Sequence, residues 1–192
     1  MDSTNSPQID LFFQDPKHLN KEQQSHSTLF LLRRDIYTCL GKNPNDLTKI
    51  GFSAIFPGAM AIMAGIDLLA KLRYTDNDIV GNRSGDRFKK FVDEYIDEHN
   101  KEVLYQLRNS LLHSFGLYSK DNNGKEYYFR LNKDDGCFVK HKSDTIYQIS
   151  ISLLHKKFED AIEKYKADLI SKADLLPNFQ SIYDRYGVIS IR

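Results

Sequence analysis

Residues 104–116 read Leu104-Tyr105-Gln106-Leu107-Arg108-Asn109-Ser110-Leu111-Leu112-His113-Ser114-Phe115-Gly116. At about 100° per residue, Leu104, Leu107, Leu111 and Phe115 fall within one narrow arc of a helix, a stripe suited to a core. Tyr105, Asn109 and His113 recur every fourth residue and stack as a polar ladder on another face. Arg108 and Leu112 lie between the two. The spacing predicts a two-sided helix over 101–115, stopped at Gly116.

The same periodicity continues on either side. Leu29, Leu32, Ile36 and Leu40 predict a helix over 27–40, ended by Gly41 and Pro44. Met60, Met63, Ile66, Leu69 and Leu72 predict another over 57–74, whose Gly58, Ala59, Ala61, Ala64 and Gly65 admit a close neighbour. Ser84 suits the cap of a third helix over 87–98. Phe88, Phe91, Val92, Tyr95 and Ile96 form its apolar face, and Asp93, Glu94, Asp97 and Glu98 a solvated outer one. A long amphipathic helix over 152–173 carries Leu154, Phe158, Ile162, Tyr165 and Leu169 and is closed by Pro177. The aromatics beyond it, Phe179, Tyr183 and Tyr186, are expected to pack. Between 126 and 150 the texture becomes β-rich, with short strands expected over 127–131, 137–140 and 145–150 in a small hairpin or meander. Residues 1–24 are polar and read as a poorly ordered or surface-hugging tail, with Leu11, Phe12 and Phe13 as its sticky spot, expected to dock on the main body. The expected architecture is mainly α: an up-and-down bundle of four to five helices with a β insert at about 126–150, in one domain over 25–192.

A chain of 192 residues fills one core. Its net charge of +1 supplies no global drive toward nucleic acid or membrane. Nucleic-acid contact must then come from a local patch or from specific chemistry. The apolar stretch 54–72 is interrupted by Pro57, Gly58, Gly65, Asp67 and Lys71. A membrane span needs about 20 predominantly apolar residues, so a buried core helix, and no membrane partner, is expected. Cys39 and Cys137 lie too far apart for a framework or metal motif and read as buried or half-buried thiols. With no basic start followed by an apolar run, a reducing cytoplasmic compartment is expected. His141 and His155 read as surface or structural groups without a carboxylate or cysteine at ligand spacing. Glycine-rich phosphate loops, zinc spacings and nucleophile elbows are missing, and no cofactor or metal is expected.

The run around Arg108 and His113 resembles the motif helix of the HEPN superfamily, whose ribonuclease members carry an Arg, four to six residues, then a His. Here the match is Arg108, four residues, His113, with Asn109 at the polar position that often follows the Arg. The motif match covers about a dozen residues, and the helical layout extends it loosely over 27–173. The resemblance implies a HEPN-like bundle and a metal-independent endoribonuclease, acting on RNA as a homodimer. It also implies a stress or anti-phage toxin setting, with an antitoxin or regulatory protein as a further partner. In such an enzyme His113 is the acid or base and Arg108 stabilises phosphoryl charge. Asn109 holds the imidazole or the phosphate, and Tyr105 stacks on a base or hydrogen-bonds.

Two rivals stand beside this. One is a non-catalytic module that uses the polar groove for a protein or nucleotide; the other puts the binding surface on the β insert, through Tyr127 or Tyr128. Arg108 and His113 lie about 140° apart around the axis. A joint site therefore needs the Arg side chain to wrap round, or a second copy of the helix from a symmetric dimer. In a purely structural role His113 would sit at the last turn, where the helix dipole favours a cation. Arg108 would then pair with Glu102, Asp93 or another acid, and an Arg108 held in such an internal pair would weaken the enzyme reading.

Overall fold

A computed structural model of the chain describes residues 7–18, 25–51, 53–79, 83–133 and 136–190. The described residues are mainly helical, with a small mixed sheet. Helix α1 (Pro7–Phe12) is followed by strand β1 (Ser25–Ser27), α2 (Thr28–Cys39), α3 (Ile55–Arg73) and α4 (Arg83–Phe91). Helix α5 (Lys101–His113) leads into β2 (Tyr118–Lys120), β3 (Glu126–Asn132), β4 (Val139–His141) and β5 (Ile146–Ser150). Then come α6 (Ile151–Ser171), α7 (Leu176–Tyr186) and β6 (Val188–Ser190).

Helix α3 is the axis. It touches α2, α4, α5, α6 and α7, and Ile62, Met63, Ile66 and Leu69 are wholly buried. It is long and apolar enough to cross a membrane, but half of that stretch is inside the protein, as in the central helix of a bundle. The small residues serve as expected. A Cβ on Gly65 would stand 2.5 Å from the Phe158 ring of α6 and 2.9 Å from Leu32 of α2. Serine caps start two neighbours: Ser27 Oγ accepts the Phe30 N–H at 2.9 Å, and Ser150 Oγ accepts that of Leu153 at 3.3 Å.

Phe12 and Phe13 dock on the body as expected, buried against Phe179 and Tyr165. Several other expectations are corrected. The N-terminal segment contains a helix, α1, that was not expected. A single apolar turn is enough to anchor a polar segment; residues 1–6 and 19–24 lie outside the described set. The third helix starts before Ser84, which is therefore inside it rather than its cap. It continues as a π-helical turn, Val92–Ile96, closed by the Asp97 N–H on the Val92 carbonyl at 2.7 Å. The acidic run there is not simply solvated: Glu94 accepts from the Tyr74 hydroxyl and Arg73, and Asp97 pairs with Lys157. Pro177 opens α7 instead of closing the previous helix, because a proline in the first turn lacks only an N–H that would be unpaired anyway. Cys137 is exposed, although Cys39 is half-buried as expected. His155 does have a carboxylate one turn away: Glu159, at 3.5 Å, which also takes the buried Arg33 at 2.6 Å.

The β insert holds the expected hairpin, β4–β5, but not as a simple hairpin or meander: a second hairpin, β2–β3, joins it side by side. Its order is β2-β3-β5-β4, with β3 and β5 parallel and both edges antiparallel. Strand β2, absent from the sequence reading, is only Tyr118–Lys120, too short for alternation to register. Tyr127, Phe129, Tyr147 and Ile149 point into the core from one face of this sheet. A second, two-stranded sheet pairs β1 with β6, near opposite ends of the chain.

Gly65→Ala raises intrinsic helix propensity but drives a methyl group into Phe158. Overpacking is expected to win, destabilising the protein by about 1–3 kcal/mol in urea-unfolding measurements; a variant at least as stable as wild type would show that α6 can retreat.

Candidate active site

Helix α5 places its side chains much as its periodicity requires. Leu104, Leu107 and Leu111 are wholly buried. Phe115 does not join their stripe: the helix ends at His113, Phe115 takes a left-handed φ of +48°, and its ring is 74% exposed. The Gly116 N–H then closes the end on the Ser110 carbonyl at 2.9 Å. Gln106, buried on the opposite flank, accepts from Ser119 of β2 at 2.6 Å and so ties the helix to the sheet.

The sequence-derived residues Arg108, Asn109 and His113 come together within one chain. Arg108 reaches along its own helix: its Nη1 donates to Asn109 Oδ1 at 3.0 Å and lies 2.6 Å from His113 Nε2. The angular separation is thus overcome by a long side chain wrapping round, and no second copy is needed to join the pair. Because a guanidinium only donates, His113 Nε2 accepts, which leaves the proton of the neutral ring on Nδ1. Tyr105 is not part of this group. Its hydroxyl lies over Gly85, its ring packs near Phe88, and Lys89 sits 5.1 Å from the ring centroid.

Asp67 of α3, absent from the sequence-derived set, completes the site. One of its oxygens, Oδ2, takes both Arg108 Nε at 2.7 Å and Nη2 at 2.6 Å. Ser84 Oγ stands 3.5 Å from Nη2. The ion pair is largely internal, with the two side chains 11% and 24% exposed. Neither Glu102 nor Asp93 supplies the acid; Asp67 does. The available signal was chemical: Asp67 is a lone carboxylate in the most apolar stretch of the chain. Burial pushes its carboxyl above the ordinary 3.8, against the pull of Arg108 and His113. His113 itself is exposed, so the constellation runs from a desolvated carboxylate, through a positioned cation, to an imidazole open to solvent.

Beside Arg108 lies a groove of about 460 Å³ with apolar walls from Leu32, Ala64 and Leu68 and with Lys71, Arg87 and Tyr186 at its lining. On the other flank a polar cleft holds Asn109, Tyr105, Lys89 and Lys120 with Asp86, Glu102 and Asp121. Among the described residues, no three His, Cys, Asp or Glu side chains gather as a metal-binding group.

The raised carboxyl has a thermodynamic consequence. Where the folded value exceeds the unfolded one, the native state holds the proton longer, and stability falls as pH climbs from 3.8 through the folded value. Asp67→Asn removes that ionisation. The variant is expected to melt at or above the wild-type temperature at pH 7, with the gap closing as pH drops through the carboxylate range. A strongly lowered melting temperature at pH 7 would show instead that the Asp67–Arg108 attraction dominates. No protein-family model, curated protein or solved structure matches the chain.

Proposed function

We propose that the chain is a HEPN-like, metal-independent endoribonuclease whose reacting groups are His113 and Arg108. The observation that carries this is the 2.6 Å approach of Arg108 Nη1 to His113 Nε2, a permanent cation and a titratable acceptor within the span of one phosphate. His113 Nε2 takes the proton of an RNA 2′-hydroxyl, and the 2′-oxygen attacks the adjacent phosphorus. The bond to the 5′-oxygen breaks, and that oxygen takes a proton from water. The products are a 2′,3′-cyclic phosphate and a 5′-hydroxyl. Arg108 turns its Nη1 from the imidazole to the phosphoryl oxygens, where negative charge gathers. Asp67 serves as a positioning residue that fixes the guanidinium by its other two nitrogens. Asn109 accepts from Nη1 and helps to aim it. A homodimer facing its α5 ends together would supply a second imidazole for the leaving oxygen.

A second reading is favoured by the same ion pair. An Arg108 already held by Asp67 suits a non-catalytic module, in which the groove lined by Lys71 and Arg87 takes a nucleotide or protein partner.

RNA cleavage by purified protein in EDTA, with analysis of product ends, separates the two. Cyclic phosphates are expected from wild type, with rates lowered about 10²- to 10⁴-fold in His113→Ala and about 10²- to 10³-fold in Arg108→Ala. Intact total RNA and tRNA after incubation with folded wild type, or cleavage unchanged in His113→Ala, would leave the binding module.

A further inference from the structure

The parallel pairing of β3 with β5 gives the sheet an outer face. Across it the register aligns Tyr118 with Tyr128 and Ile146, and Arg130 with Gln148, which lies opposite Lys140. Lys120 pairs with Glu126 on the same face. The inward neighbours Tyr127 and Phe129 are buried, whereas Tyr118 and Tyr128 remain 42% and 44% exposed. Lys120, Arg130 and Lys140 are exposed as well. The two tyrosine rings lie 5.0 Å apart. Their hydroxyls both reach the Glu126 carboxylate, at 3.1 and 3.3 Å. That carboxylate is thereby engaged, and the rings are held in place before any ligand arrives, which lowers the entropic cost of stacking on them.

The platform is joined to the motif helix. Tyr118 follows His113 by five positions, a reach of at most about 18 Å. Phe115, the most exposed large apolar side chain among the described residues, stands on that connection. The polar cleft between α5 and β2, which Lys120 also lines, sets three acids against two lysines and is the poorer surface for phosphates. The rest of the sheet face, with Arg130 and Lys140 and one engaged carboxylate, is the better one. Exposed aromatics interleaved with cations on a flat sheet fit unpaired bases and their phosphates, and a duplex hides its bases from such a surface.

We propose that this outer face, through Tyr118, Tyr128, Arg130 and Lys140, is a stacking platform for single-stranded RNA leading to His113. It rests on RNA being the substrate, and it narrows that substrate to unpaired segments.

The test is binding in a His113→Ala background, which separates capture from cleavage. Fluorescence anisotropy with a labelled single-stranded RNA of about 12 nucleotides is expected to show saturable binding, with the matching duplex bound more weakly. Tyr128→Ala should weaken binding about 5- to 100-fold, Tyr128→Phe should restore it, and the buried-face change Tyr127→Phe should leave it unchanged. Arg130→Gln and Lys140→Gln should each flatten the salt dependence, by about 0.7 in slope. Circular dichroism melting checks that each variant is folded. Equal binding by folded Tyr128→Ala and its parent would overturn the platform, as would preference for the duplex. So would loss of self-association, rather than of RNA, in Tyr128→Ala, which would make the face a protein interface. Cleavage by wild type with binding indifferent to Tyr128 removes the platform alone. Tyr128-dependent binding without wild-type cleavage removes the active site alone.

Discussion

The closeness of α3 to its neighbours at Gly65 is the constraint on which the rest of the molecule depends. Phe158 and Leu32 occupy the space a side chain would need, so α2 and α6 approach the central helix as near as backbone permits. That approach lets one apolar helix serve five neighbouring helices, and it fixes the height at which Asp67, two residues beyond Gly65, faces α5. A carboxylate in such a place carries a desolvation cost. Arg108 offsets part of it, and burial still dominates. The polar group at the centre of the candidate site is thus held there by packing, and not by its own electrostatic preference.

The direction of that influence matters for chemistry. Two guanidinium nitrogens are committed to Asp67, so the third points toward the end of α5 and meets His113. A lysine at this position would offer a point charge on a flexible stem, with no fork to be aligned. The geometry asks for an arginine, and the carboxylate behind it explains why its side chain bends back along its own helix.

Much of this was legible in the residues, for definite reasons. Strong 3.6-residue periodicity reveals α2, α3, α5 and α6, and the spacing Arg108–Asn109–His113 marks the site. Contacts distant in sequence leave no such trace. Asp67 lies 41 residues from Arg108, and only its oddity in an apolar stretch hints at a partner. The parallel β3–β5 pairing is likewise invisible to alternation, which reports which face a residue takes but not which strand lies beside it. Pro177 misleads because proline both ends and begins helices. Phe115 misleads because its spacing fits a stripe that the chain leaves one turn too soon.

The pairing of β1 with β6 has a consequence for the order of assembly. The Thr28 N–H donates to the Gly187 carbonyl, and the Thr28 hydroxyl reaches the Tyr186 carbonyl across 158 residues. Thr28 and Tyr186 also line the groove beside Arg108. The α2–α3 contact closes a short loop, whereas this wall of the groove forms only when two segments 158 residues apart meet. Contacts of that separation carry the larger loop-closure cost, so the groove's wall is expected to be among the last features to form when the chain folds.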